Sequence, residues 1–334
     1  MSEQEATEKD QASRFRGAVL GAAIGDALAF PYQHYSRSFL RSISSPLTAE
    51  FVDPPSSFHP RGQYGPATQL MLATLASVNE AGDVSGESMA NHMLPLWRDN
   101  LFVRSEESTA EAMGRLAKGQ AEWHESGHES GRAEAAPLAR AVVIGLWDHG
   151  EMDRIPQDVE TVVRVTHRDP RALACGAMVA AAVASNVQSS QLHLGEFLDR
   201  VAAAASSFDT ALHDAILDLP RILSQTEARA LRYLESFCSD SRYPHTEDGL
   251  GEYCIPTAMT AIYYFLRAPY QFEKALDSCL RLGGHIDSVT FLAGALSGAL
   301  VGDAGLPQSL IEGLLNSREI TAAAEQLHES WWKQ

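Results

Sequence analysis

Asp26 stands in an apolar stretch, between Gly17-Ala-Val-Leu-Gly-Ala-Ala-Ile-Gly25 and Ala27-Leu-Ala-Phe-Pro-Tyr-Gln33. A carboxylate in that setting must find donors or a cation, because an unpaired buried charge is costly. Far along the chain, Gly283-Gly284 is followed by His285, Asp287 and Ser288 and then by a second small-residue segment. Two chemistries suit this cluster. Asp287 or Ser288 as an N-cap would accept backbone N–H bonds and stabilise by about 1 kcal/mol. Alternatively, His285 and Asp287 would offer a nitrogen and an oxygen to a metal or ligand at the helix N-terminus. The carboxylate would favour a protonated His285 while the helix dipole opposes it, so the sequence leaves its charge open. His124 and His128 are four apart and could share a helix face as ligands, yet Ser126, Gly127, Glu129 and Ser130 around them read as a solvated loop.

The elements that must position these groups are helical. Apolar residues recur at helical spacing through Phe15–Ala23, Leu70–Val78, Met93–Trp97 and Val142–Trp147. The same signal runs through Leu173–Ala184, Phe197–Ala204, Ala211–Leu219, Ala228–Phe237, Ile255–Leu266, Phe272–Leu282 and Val289–Val301. Strand-like alternation is nearly absent, so an all-α fold is expected. Ser44–Tyr64 and Trp123–Glu134 read as loops, and neither has the composition of an interdomain linker. The expectation is a flexible polar lead-in over 1–13 and one compact multi-helix domain over 14–334. Gly17, Gly21 and Gly25, four apart, would let a neighbouring helix backbone approach closely.

Composition removes several classes of function. With 45% hydrophobic and 21% charged residues, the 334-residue chain can bury a sizeable core, which excludes disordered and collagen-like proteins. Twenty-six basic against 43 acidic residues leave a net charge of −17, which repels a phosphate backbone, so nucleic acid is not an expected partner. Cys175, Cys238, Cys254 and Cys279 form no CxxC pair, and the first residues are charged where a signal peptide is apolar. A reduced, cytoplasmic protein is expected. The Ala-rich tract 172–183 is short of the ~18 to 20 apolar residues of a membrane span, so no membrane is expected either. Cys254 and Cys279 read as small buried hydrophobes, and Tyr263, Tyr264, Phe265, Trp331 and Trp332 as core or interface.

Four segments, taken in order, resemble the ADP-ribosylglycohydrolase family. Its members carry a glycine-spaced first helix ending in GDALGxPxE, then G-x-[aromatic]-T-D-D-T-Q, then T-H-x-x-P, and finally G-G-D-T-D-T before a small-residue helix. The counterparts are Gly25-Asp26-Ala27-Leu28-Ala29-Phe30-Pro31-Tyr32-Gln33, Gly62-Gln63-Tyr64-Gly65-Pro66-Ala67-Thr68-Gln69, Thr166-His167-Arg168-Asp169-Pro170 and Gly283-Gly284-His285-Ile286-Asp287-Ser288. The resemblance covers most of the chain. It implies an all-helical single domain whose cleft holds two divalent cations, usually magnesium, on the T-D-D and D-x-D-T residues. Such a cleft binds ADP-ribose and hydrolyses the bond from ribose to a modified side chain. The resemblance also relates the fold to certain lens crystallins.

This chain departs from the pattern where the chemistry sits. Gly65-Pro66-Ala67 replaces T-D-D without a side-chain oxygen, His285 and Ile286 replace an Asp and a Thr, and Gln33 replaces the glutamate. Asp287 and Ser288 alone keep a suitable oxygen in these two motifs, so no metal cofactor is expected and at most these two residues would ligate one. The expected catalytic or residual polar groups are Asp26, His285 and Asp287. Gln33, Tyr64, Thr68, Gln69, His167, Gly283, Gly284 and Ser288 are expected to preserve a ligand-binding cleft. Other readings stay open: Thr68 as a helix cap, and His167 with Asp169-Pro170 as a helix-boundary turn. Gly131, Arg132 and Glu134 fall where the family has a Gly-Asn-Gly-type phosphate loop, in degraded form. The function expected is binding of ADP-ribose, a related nucleotide or an ADP-ribosylated protein after loss of two-metal hydrolysis. The alternatives are a metal-independent or single-metal hydrolase and a structural, crystallin-like protein. The oligomeric state is not legible.

Overall fold

The computed structural model describes residues 3–55, 58–128, 131–237, 240, 242–243 and 249–333, with side chains from residue 8 onward. Cys238, Glu129 and Ser130 lie outside the described residues. Among those described there are seventeen α-helices, three short 3-10 helices and no β-strand, only isolated bridges. The first helix, Glu3–Ala29, begins within the stretch 1–13 that the sequence suggests as a polar lead-in. Part of the polar lead-in is held by side-chain bonds: Arg14 pairs with Asp10, and the Ser13 hydroxyl donates to Asp303 at 2.5 Å. The described residues of the expected loops 44–64 and 123–134 contain no helix.

The first helix packs along Ile286–Val301 at backbone contact. A Cβ on Gly17, Gly21 or Gly25 would lie 2.3, 2.4 or 2.3 Å from the carbonyl oxygens of Gly298, Gly294 and Thr290. As one helix advances four residues the other retreats four, so the two run antiparallel, and the glycine stripe is a packing device. Its consequence for the site is direct. The C-terminal end of the first helix, with Asp26, lies beside the N-terminal end of Ile286–Val301, with Asp287.

Pro170–Gln188 is the one helix, among the described residues, long and apolar enough to cross a membrane, exceeding the sequence estimate for its Ala-rich tract. It is buried from Ala172 to Val187 and packs against Leu138–Trp147, Ile155–Arg164 and Leu194–Ser206. Tyr263, Tyr264 and Phe265 also sit in the core, as do the buried cysteines Cys175, Cys254 and Cys279.

Candidate functional site

Three helices start at one cleft. Pro66–Ala81 begins with proline at its first position after Gly65, Glu107–Ala117 follows Glu106, and Ile286–Val301 follows His285. Their N-termini carry partial positive charge. The cleft between them encloses about 60 Å³. Its apolar side is Pro66, Ala67, Leu70 and Phe102, and its polar side includes Arg104, Glu106, Glu252, His285, Asp287 and Ser288.

Asp26 is fully buried. Its Oδ2 accepts the Thr68 backbone N–H at 2.9 Å and the Thr68 hydroxyl at 2.7 Å, while Oδ1 has no hydrogen-bond partner. Burial, and then the charge of Asp287, push the carboxyl up to about 7; the Thr68 donors and the nearby Gly65 N–H pull the other way, although no bond from Gly65 closes. Thr68 is therefore not the N-cap that one reading allowed. Gly65 holds that place, and Thr68 spends its donors on Asp26.

Asp287 sits in the first turn of its helix, and neither it nor Ser288 caps it: the N-cap is His285, without a side-chain cap bond. Asp287 Oδ2 instead accepts Gln33 Nε2 at 2.8 Å and faces Arg104 Nη2 at 3.4 Å. The same Nη2 donates to Gln33 Oε1, and Arg104 Nη1 donates to His34 Nε2 at 2.9 Å. The His34 ring meets the His285 ring edge to face at 4.9 Å. Partial burial, then the charges of His285 and Arg104, hold His34 below the ordinary histidine range. His285 Nδ1 lies 3.4 Å from Glu252 Oε1.

Gly283 and Gly284 have φ of 73° and 77°, a region costly to residues with a Cβ. That turn lets the Gly284 N–H donate to the Tyr35 carbonyl at 3.0 Å and its carbonyl accept the His34 N–H at 3.1 Å, which joins the Gln33 loop to the His285 turn. Their contribution is through the backbone.

Several expected ligand residues are committed elsewhere. Gln69 clamps the chain before Arg104: its Nε2 donates to the Leu101 carbonyl at 2.8 Å and its Oε1 accepts the Val103 N–H at 2.9 Å. Tyr64 is buried and its hydroxyl accepts from Asn316 Nδ2 at 3.1 Å. His167 is fully buried behind the cleft in a relay of polar groups. Arg140 donates to the Thr166 hydroxyl, which reaches His167 Nδ1 at 2.8 Å, and His167 Nε2 reaches Glu134 Oε2 at 3.0 Å. Burial holds His167 below its usual range. It also raises Glu134, but the His167 and Ser108 hydrogen bonds outweigh it and bring that carboxyl down to about 2. Buried Arg140 falls to about 9. His124 and His128 do not converge: His128 pairs with Glu111, whereas His124 faces Glu125 at 3.8 Å.

Arg104, Glu106 and Glu252 were not singled out from the sequence. Arg104-Ser105-Glu106-Glu107 carries the charge pattern of any exposed helix start, so only its position at the cleft distinguishes it. Glu106 Oε2 is inaccessible and has no hydrogen-bond partner, like Thr109 Oγ1 one turn later. Burial first, then the charges of Glu252, Glu134 and Asp287, hold Glu106 well above the usual carboxylate range.

These features define an all-helical protein with a polar cleft gathered at helix ends. A sequence model of the family described as ADP-ribosylglycohydrolase matches residues 7–334. The chain belongs to the ADP-ribosylglycohydrolase family. An uncharacterized protein of Archaeoglobus fulgidus is 25% identical over 317 residues, covering 95% of this chain and 96% of that one. The ADP-ribosylhydrolase ARH3 of Gallus gallus is 28% identical over 121 residues, 32% of this chain and 33% of its own. A solved structure titled ADP-ribosylglycohydrolase-related protein complex shares the fold, with a TM-score of 0.73 at 21% identity over 96% of this chain and 99% of its own.

The donor set does not suit the two magnesium ions that the resemblance implies. Magnesium requires near-octahedral oxygen ligation. Pro66 and Ala67 present no side-chain oxygen to the cleft, Asp287 Oδ2 is already engaged by an amide and a guanidinium, and Asp26 is closed in by Thr68. The unpaired Asp26 Oδ1 is a single oxygen at the base of this arrangement.

Proposed function

We propose that this member of the ADP-ribosylglycohydrolase family binds ADP-ribose or a related nucleotide, free or on a modified protein, without two-metal hydrolysis. The observation that carries the reading is the engagement of Asp287 by Gln33 and Arg104, in a cleft whose other expected metal positions are Pro66 and Ala67. The cleft remains, while the oxygens of the motif positions Pro66 and Ala67 are missing and Asp287 Oδ2 is engaged. Helix N-termini around it favour an anionic ligand, which would offset the repulsion from the chain's overall negative charge. The thiols of Cys254 and Cys279, buried and outside any disulfide among the described residues, support a reducing, cytoplasmic setting.

Calorimetry at low salt with ADP-ribose, AMP and ribose phosphate tests this reading. Heat of binding without magnesium is expected, and no heat from any of the three favours a structural role. A parallel assay with ADP-ribosyl-arginine and ADP-ribosyl-serine is expected to release no ADP-ribose above background.

The hydrolase alternative has its own observation, since His285, Asp287 and the buried Glu106 line one cleft. Release of ADP-ribose that disappears in His285→Ala or Asp287→Ala would establish it and displace the binding reading.

A further inference from the structure

The cleft contains a cation of its own. Arg104 lies at the centre of a bonded set drawn from three separate parts of the chain: Gln33 and His34 after the first helix, Asp287 at the start of Ile286–Val301, and its own segment before Glu107–Ala117. Its side chain is 40% exposed against 12% for Asp287, so the guanidinium covers the carboxylate from the solvent side. The backbone that delivers it is fixed by Gln69 through Leu101 and Val103, unlike that of a freely moving surface arginine. Three further carboxyl groups, Asp26, Glu106 and Glu252, stand around the same region, and Arg104 is the only lysine or arginine lining the cleft among the described residues.

We propose that the Arg104 guanidinium is the resident cation of the cleft, held by Gln33 and Asp287 in the role that a divalent ion would otherwise fill. The chemistry favours this occupant. A guanidinium presents directed N–H donors that match an amide oxygen, a carboxylate and an imidazole nitrogen at once. A magnesium ion at that place would need several more oxygens than these elements supply. Among the described residues, the hydrogen bonds of Arg104 engage Nη1 and Nη2 but not Nε, which leaves that N–H to donate to the anionic group of a ligand. Arg104 is thereby a specificity-determining residue: it makes the cleft independent of metal and sets the place of anion recognition. The proposal rests on the metal-free reading above but not on the identity of the nucleotide.

The test needs no nucleotide, so its failure is distinct from a failed ADP-ribose titration. Thermal unfolding of the full chain and of Arg104→Ala is followed with magnesium, manganese or calcium chloride, with methylguanidinium, and with sodium chloride at matched ionic strength. The wild type is expected to show no saturable shift. Arg104→Ala is expected to melt lower and to regain several degrees saturably with methylguanidinium, because a ligand stabilises by binding the native state, and to gain nothing saturable from the divalent ions, for which the oxygens are too few. That gain should disappear in Arg104→Ala combined with Asp287→Asn. A folded Arg104→Ala that shows no saturable response to methylguanidinium overturns the proposal. The wild type supplies a second measurement that does not depend on the variant folding, by the paramagnetic resonance signal of manganese. A signal that stays free on titration supports Arg104 as the occupant, whereas stoichiometric loss that Asp287→Asn abolishes overturns it.

Discussion

Thr68 gives two hydrogen bonds to one oxygen of Asp26, the backbone N–H at 2.9 Å and the hydroxyl at 2.7 Å, while the other carboxyl oxygen has none. The pair joins the first helix to the start of Pro66–Ala81 directly beneath Gly65. Burial dominates over these two donors in setting the charge of Asp26, since its pKa stands at about 7 against an ordinary 3.8. The site is thus supported by a carboxyl that changes charge near neutrality.

Stability should fall as pH rises through that window. Asp26 binds its proton more tightly folded than unfolded, so its contribution is full below 3.8 and lost as pH passes about 7. Between pH 5 and 8 the loss is about 2 to 3 kcal/mol by linkage. Urea unfolding at both pH values is expected to show that slope in the wild type and a flatter one in Asp26→Asn. An unchanged slope in the variant would assign the dependence to another group. Thr68→Val should cost about 1 to 3 kcal/mol, more at pH 8 than at pH 5, because the hydroxyl it removes stabilises the charged form.

Gly294→Val tests the helix contact that brings Asp26 to Asp287. A Cβ there would lie 2.1 Å from the Gly21 carbonyl oxygen, so the helices must separate. A loss of about 3 kcal/mol or more is expected from overpacking at a backbone contact. Gly195→Ala, where nothing lies within 4 Å of the added carbon, should be nearly neutral or stabilising in the same denaturation experiment.

Gln69→Ala should release the segment that presents Arg104. The amide proton of Val103, bonded to Gln69 Oε1 at 2.9 Å, is expected to lose its exchange protection while global stability changes by only about 1 kcal/mol. Ligand affinity in the cleft should fall with it. Protection of Val103 that persists would show that the clamp lies elsewhere.

A second pH dependence lies far from the cleft, where His149 packs against Trp331 with ring centres 4.1 Å apart. Burial, which outweighs the raising effect of its bond to the Leu146 carbonyl, holds His149 at about 4 against its usual 6.5. Its contribution is therefore present above 6.5 and lost as pH falls toward 4, by about 2 kcal/mol at pH 5. Acid titration of tryptophan fluorescence should show a transition in that range, which His149→Gln removes. A wild-type signal flat down to pH 4 would refute the assignment.

The sequence by itself determined the helical class and the family, because helical periodicity and the order of four short motifs are local properties of the chain. It also located the close helix contact, since glycine every fourth residue forms a stripe whatever lies opposite. What lay opposite was settled only in the folded protein, where Gly17, Gly21 and Gly25 meet Gly298, Gly294 and Thr290. Motif residues alike in the sequence separated there by function: Asp287 turns to the cleft, Gln69 clamps a neighbouring segment, Tyr64 joins the core, and His167 is sealed behind Glu134. Arg104 belongs to no motif, and its position opposite Asp287 is 183 residues away along the chain. A charge beside a helix start has the same local pattern on any surface, and only the packing of distant helices turned this one into part of the cleft.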